Sequence, residues 1–128
     1  MDKKLNTKTA VPEDEESLVL GKAMMRAARY LKISNTEVAH ILGLSSATIS
    51  RLKTGEYRLE RGSKAFELAL LLVRVFRGLD AITGSDDASR SWIRAQNLAL
   101  RNAPIDLMQT VTGLVGVAEY VDARRARV

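Results

Sequence analysis

The sequence contains no cysteine. Disulfides and thiolate metal sites are therefore excluded, and the chain suits a reducing cytoplasm. It has one histidine, His40, so no second imidazole can complete a metal site, and His40 reads as a helix-face residue. Long hydrophobic runs are missing too. The most apolar stretch, Leu68 to Val73, is stopped by Arg74 and Arg77 and is too short to span a bilayer. Lys3 and Lys4 are not followed by an apolar block before Pro12, so no signal peptide is expected and a cytoplasmic location is. There is no alternating strand pattern of useful length and no internal repeat. Catalytic constellations are absent as well: no nucleophile–base pair, no carboxylates paired in a recognisable setting, and no glycines spaced as a phosphate loop. The expectation is a protein that is not an enzyme and that needs neither cofactor nor metal.

What is present is unevenly charged. The net charge is +5 over 128 residues. Residues 1–20 hold three Lys against five acids, and residues 80–128 hold six Arg against six acids. Residues 21–79 hold eleven Lys or Arg against four Glu, so the whole positive excess lies there. Surplus lysine spread over a surface is ordinary, whereas confinement to one segment favours a phosphate-binding face.

Helical spacing dominates. Residues 1–12 are polar, aperiodic and end in Pro12, as a disordered arm would. Leu20, Met24, Ala27 and Leu31 recur at helical spacing, predicting a helix from about 14 to 32 whose start is favoured by Glu13 to Glu16. Ser34 and Asn35 can both cap a following helix that carries Glu37 in its first turn. Ser45 can cap the next, which should stop near Thr54-Gly55. From Ser63 to about Ile82 the pattern is apolar on nearly every side, predicting a helix covered on several faces at once. Thr83-Gly84-Ser85-Asp86-Asp87 breaks it. Further helices are predicted at about 88–100, 104–112 and 114–125, with Pro104 at a first helical position and Gly113 closing its helix. The fold class expected is all-α, divided into an arm at 1–12, an N-terminal domain at 13–84 and a C-terminal domain at 85–128.

Asn35 to Lys53, NTEVAHILGLSSATISRLK, carries the clearest motif. Two short helical segments meet at Gly43, which should need a positive φ. Ala39 falls where the helices cross most closely. Val38, Leu42, Leu44, Ile49 and Leu52 face inward. This is a helix-turn-helix, whose second helix would enter the DNA major groove. Ser45, Ser46, Ala47 and Ser50 would face base edges, Thr48 joins the same DNA-binding set, and Arg51 would meet a guanine or a phosphate. Lys53, Tyr57, Arg58 and Arg61 would contact the backbone. The small reading residues imply modest specificity per half-site, hence a homodimer on a palindrome. Residues 17–82 resemble the Xre family of phage-repressor-like DNA-binding domains, which implies a compact helical bundle.

The C-terminal segment runs Trp92, Asn97, Leu98, Leu100, Pro104, Leu107, Gly113, Val117, Val121. Read from the residues, it is a small helical hairpin with Trp92, Leu98 and Leu107 in its core. In order and spacing it resembles the toxin-binding domain of the MbcA/ParS/Xre antitoxin family. Two features depart from that family: the loop Arg101-Asn102-Ala103, and the ending Arg124-Arg125-Ala126-Arg127-Val128. The resemblance implies a type II antitoxin whose partner is a RES-domain toxin, an enzyme that consumes NAD, and whose C-terminal module covers the toxin's NAD pocket. It implies operator DNA as a second partner, no membrane, and a larger complex built on the homodimer. Toxin contact is expected at Trp92, Asn97, Arg101, Arg124, Arg125, Arg127 and Val128. The competing reading is a stand-alone repressor whose C-terminal hairpin only dimerises.

Overall fold

The computed structural model describes residues 13–127, so the expected arm at 1–12 and the C-terminal Val128 lie outside the described residues. Those residues form seven α-helices and no strand: α1 (Glu13–Leu31), α2 (Asn35–Leu42), α3 (Ser46–Thr54), α4 (Lys64–Thr83), α5 (Asp86–Arg94), α6 (Pro104–Leu107) and α7 (Val111–Ala126). The all-α reading holds. Ser34, Ser45 and Ser63 are the N-caps of α2, α3 and α4, each accepting a backbone N–H from the first turn. At Ser34 the arrangement is reciprocal, because the Glu37 carboxylate also accepts the Ser34 N–H at 2.9 Å.

The long apolar helix α4 is the centre of the molecule. It packs on α7, α1, α5 and α2. Ala65, Leu68, Ala69, Leu72, Val73, Val75 and Leu79 are buried, while Leu70, Arg74 and Arg77 remain on an exposed strip. One continuous cluster of buried residues runs from Leu20 on α1 to Val121 on α7. α4 and α7 pack closely at Gly78. A methyl group added at Gly78 would run into the branched side chain of Val121.

The predicted boundaries fail in the C-terminal part. The helix expected at 88–100 ends at Arg94, and the chain turns through a loop closed by an antiparallel bridge between Asn97 and Asn102. The Asn97 side chain competes with helix by accepting the Leu100 N–H at 3.0 Å, and Arg101 sits at φ 67°. The helix expected at 104–112 is a single turn. Pro104 does occupy its first position, but Ala103 before it supplies no side-chain cap. Gly113 does not end a helix. It lies in the first turn of α7, where its N–H donates to the capping Thr110 Oγ1 and a side chain would strike the Leu107 carbonyl. Leu98 is not core either: it is 94% exposed at the tip of the loop. Trp92 and Leu107 are half-buried, and the core positions are filled by Ile93, Ile105, Met108, Leu114, Val117 and Val121.

Alanine at position 78 would gain about 1 kcal/mol in helix propensity. Overpacking against a stiff β-branched neighbour costs about 1–3 kcal/mol. Gly78→Ala is therefore expected to lower the urea unfolding midpoint, and Val121→Ala in that background to recover part of the loss. Simple additivity of the two substitutions would show that the helices do not meet there.

Candidate nucleic-acid interface and C-terminal module

The helix-turn-helix geometry follows from its caps. Gly43 has φ 68° and closes α2, its N–H bonding back to the Ala39 carbonyl. Val38, Ala39, Leu42, Ile49 and Leu52 are buried, and Leu44 packs beside them. Those contacts leave Ser46, Ala47, Ser50 and Arg51 exposed on α3. Ser45 and Thr48 are more engaged than a reading face requires. The Ser45 Oγ accepts the Thr48 N–H at 3.1 Å and pairs with the Thr48 Oγ1 at 2.8 Å. The Arg51 Nη2 donates to that same Thr48 oxygen at 3.1 Å, which folds the guanidinium back towards the N-terminus of α3.

The expected backbone-contacting residues separate. Lys53 donates to Asn35 Oδ1 at 3.3 Å and so links the end of α3 to the start of α2. Tyr57 is half-buried against the core, with its N–H bonded to the Arg51 carbonyl. Arg58 is exposed on the same connection. Arg61 is drawn to Glu16 on α1, 3.1 Å away.

The end of α1 and the start of α2 are held by the C-terminal part of the chain. Arg94 on α5 forms a two-pronged ion pair with Glu37, Nη1–Oε2 at 2.7 Å and Nη2–Oε1 at 2.8 Å, and also donates to the Lys32 carbonyl at 2.9 Å. Arg90 donates to the Tyr30 carbonyl at 2.6 Å. Two arginines of α5 thus satisfy carbonyls at the C-terminal end of α1, where positive charge is favoured by the helix dipole. His40 on α2 bonds to Gln109 at 2.8 Å. These ties were absent from the sequence reading, which gave His40 a helix face and the α5 arginines no partners.

The Arg94 hydrogen bond, aided by the Ser34 N–H, holds the Glu37 carboxyl at about 2 against partial burial, below its ordinary 4.5. A depressed carboxylate pKa stabilises the fold fully above the ordinary value, and that contribution is lost as pH falls from about 4.5 through about 2. Arg94→Ala is expected to cost about 1–2 kcal/mol at neutral pH, since solvent screens the exposed part of the pair. Thermal unfolding from pH 5 to pH 2 should show a shallower acid loss in the variant than in the parent. Equal slopes would mean that the pair does not form.

In the C-terminal module, Trp92 stacks on Tyr120 with centroids 6.1 Å apart and planes 19° apart. Arg124 lies 5.8 Å from the Tyr120 ring and donates to its hydroxyl at 2.9 Å. Trp92 and Arg124, far apart in sequence, therefore share one column beside Tyr120, which the sequence reading did not single out. A cavity of about 60 Å³ opens beside it, lined also by Leu79, Ile82 and Val121. Asn97 and Arg101 belong to the α5–α6 loop, Asn97 building the loop and Arg101 exposed on it. Arg125 and Arg127 are exposed at the end of α7. Among the described residues there is no cluster of three metal-ligating side chains, and no helix is long and apolar enough to cross a membrane.

Two family models match the chain, and the boundary between them falls within α4. Residues 11–74 match the antitoxin Xre-like helix-turn-helix domain. Residues 78–127 match the antitoxin Xre/MbcA/ParS C-terminal toxin-binding domain. None of the curated proteins compared with the chain matches it. The capped helix-turn-helix and the helical module docked behind it are thus the two parts of one known arrangement, and the chain belongs to the Xre/MbcA/ParS antitoxin family.

Proposed function

We propose that this DNA-binding type II antitoxin neutralises a RES-domain toxin by covering its NAD pocket, and that as a homodimer it represses its own operon from a palindromic operator in the cytoplasm. The observation that carries the reading is the joining of the two family domains through α4 and the α5 arginines. The element that would read DNA and the module that would hold a toxin share one core. The toxin class and the NAD pocket rest on the family resemblance set out above. The matched toxin-binding domain favours this reading over a repressor with a hairpin that only dimerises.

On the DNA side, Ser46, Ala47, Ser50 and Arg51 are the exposed residues of α3 that would meet base edges, with Ser45 and Thr48 fixing the helix start. Lys53, Tyr57 and Arg58 would follow the phosphates, and Arg61 would have to leave Glu16 to join them. Operator affinity should fall steeply with salt, and each lost phosphate contact should reduce the log–log slope by about one unit. Arg51→Ala is expected to weaken operator binding about tenfold or more in a fluorescence anisotropy titration. Unchanged binding would sink this docking face.

On the toxin side, the Trp92–Tyr120–Arg124 column, the Asn97–Asn102 loop and the arginine-rich ending are the surfaces that would meet the partner. Leu98 is suited to be an anchor, because the loop beneath it is already fixed by the Asn97 hydrogen bonds and little ordering remains to be done on binding. Leu98→Asp is expected to cut toxin affinity at least about tenfold with the fold intact, since the side chain is exposed in the free protein. Deleting Ala123 to Val128 is expected to abolish neutralisation and spare DNA binding. Growth and cellular NAD, followed on co-expression with the toxin gene, read both variants. Full rescue by the truncated chain would remove the tail from the interface, and NAD unaffected by the free toxin would remove the RES assignment.

A further inference from the structure

A cleft of about 470 Å³ lies between α1 and the last turn of α3, away from the Trp92 column. Ligand pockets are commonly roughly 300–1,000 Å³ with an apolar lining and a few convergent polar groups. This one has an apolar floor made by Leu18, Met25, Ala28, Ile33, Leu52 and Tyr57. Its rim carries Lys22, Arg29, Lys53 and Arg58, and none of the described residues that line it is acidic. The charge of the rim is not internally cancelled at three of those positions. Lys53 bonds to the neutral Asn35, Arg29 lies over the Tyr30 ring at 5.5 Å, and Lys22 joins no ion pair among the described residues.

We infer that this cleft binds a small amphipathic organic anion, with a carboxylate, sulfonate or phosphate head at the cationic rim and an apolar body on the floor. The complementarity disfavours cations and fully polar anions. A cation would meet the like charges of Lys22, Arg29 and Lys53, and a fully polar anion would leave the floor's apolar surface exposed to water. The position gives the ligand a consequence. Leu52, Lys53 and Thr54 are the last turn of α3, so an occupant touches the end of the helix proposed to read DNA and takes the charge of Lys53 from phosphates. Binding of the anion stands apart from the toxin reading; only its effect on DNA rests on the proposed docking face.

The test uses the full chain and the fluorescent anion 8-anilinonaphthalene-1-sulfonate, with decanoate as competitor. The dye is expected to bind saturably and to be displaced by decanoate but not by decanol at equal concentration. The double variant Lys22→Gln/Arg29→Gln should bind the dye at least about tenfold more weakly with helical circular dichroism unchanged. Leu18→Asn, which alters the floor and no charge, should also weaken it. The control Arg125→Gln/Arg127→Gln removes the same charge at the far end of α7 and should bind as the parent does. Absence of saturable binding, or equal weakening in the control pair, would overturn the assignment. So would displacement by a short DNA duplex without displacement by decanoate, because the rim would then belong to the phosphate-contacting surface. If the dye binds as expected but decanoate leaves operator affinity unchanged, the ligand site stands and the DNA docking face is the part that fails.

Discussion

Everything in this fold depends on a single helix that has no solvent-facing side broad enough to stand alone. α4 presents apolar residues around most of its circumference, and only the strip through Leu70, Arg74 and Arg77 stays open. Such a helix is stable only when several partners cover it. α1 and α2 cover it from the N-terminal half, and α5 and α7 from the C-terminal half. The two halves cannot be independent beads on a string, because each completes the core of the other. The absence of a side chain at Gly78 sets how closely α7 can lie, and Val121 fills the space.

The polar contacts strengthen that dependence. Arg90 and Arg94 reach from α5 to the end of α1, and Arg94 holds the same Glu37 that completes the capping box of α2. The carboxylate therefore serves two elements at once: it satisfies the Ser34 N–H at the start of the helix-turn-helix and anchors the module behind it. His40 and Gln109 add a second tie between the same parts. A partner that shifts α5 would act on the first turn of α2 through the Arg94–Glu37 contacts of 2.7 and 2.8 Å, and one that shifts Gln109 would act on its last turn through His40 at 2.8 Å, a physical route between the proposed toxin-facing and DNA-facing surfaces.

The helix-turn-helix was legible because its determinants are local. Ser34, Gly43, Ser45 and Gly55 mark helix ends by side-chain capping and positive φ, and neither depends on distant residues. The C-terminal module was legible as a family pattern but not as geometry. Asn97 reads as a continuation of a helix, but its side chain holds a loop, and Gly113 reads as a helix end although Thr110 before it caps the start of α7. Leu98 reads as core by its hydrophobicity, and hydrophobicity does not say whether a side chain at a loop tip points in or out.

By itself, the sequence determined the helical class, the capped helix-turn-helix, the confinement of positive charge to residues 21–79 and the order of the two modules. These follow from periodicity, composition and short-range hydrogen bonding, all of which are written within a few residues. Only the tertiary structure decided which residues meet across long separations. It paired Glu37 with Arg94, stacked Trp92 on Tyr120, tied Arg61 to Glu16 and left Leu98 in water. Those outcomes depend on how four helices close around α4, and the spacing of residues along a chain does not contain that geometry.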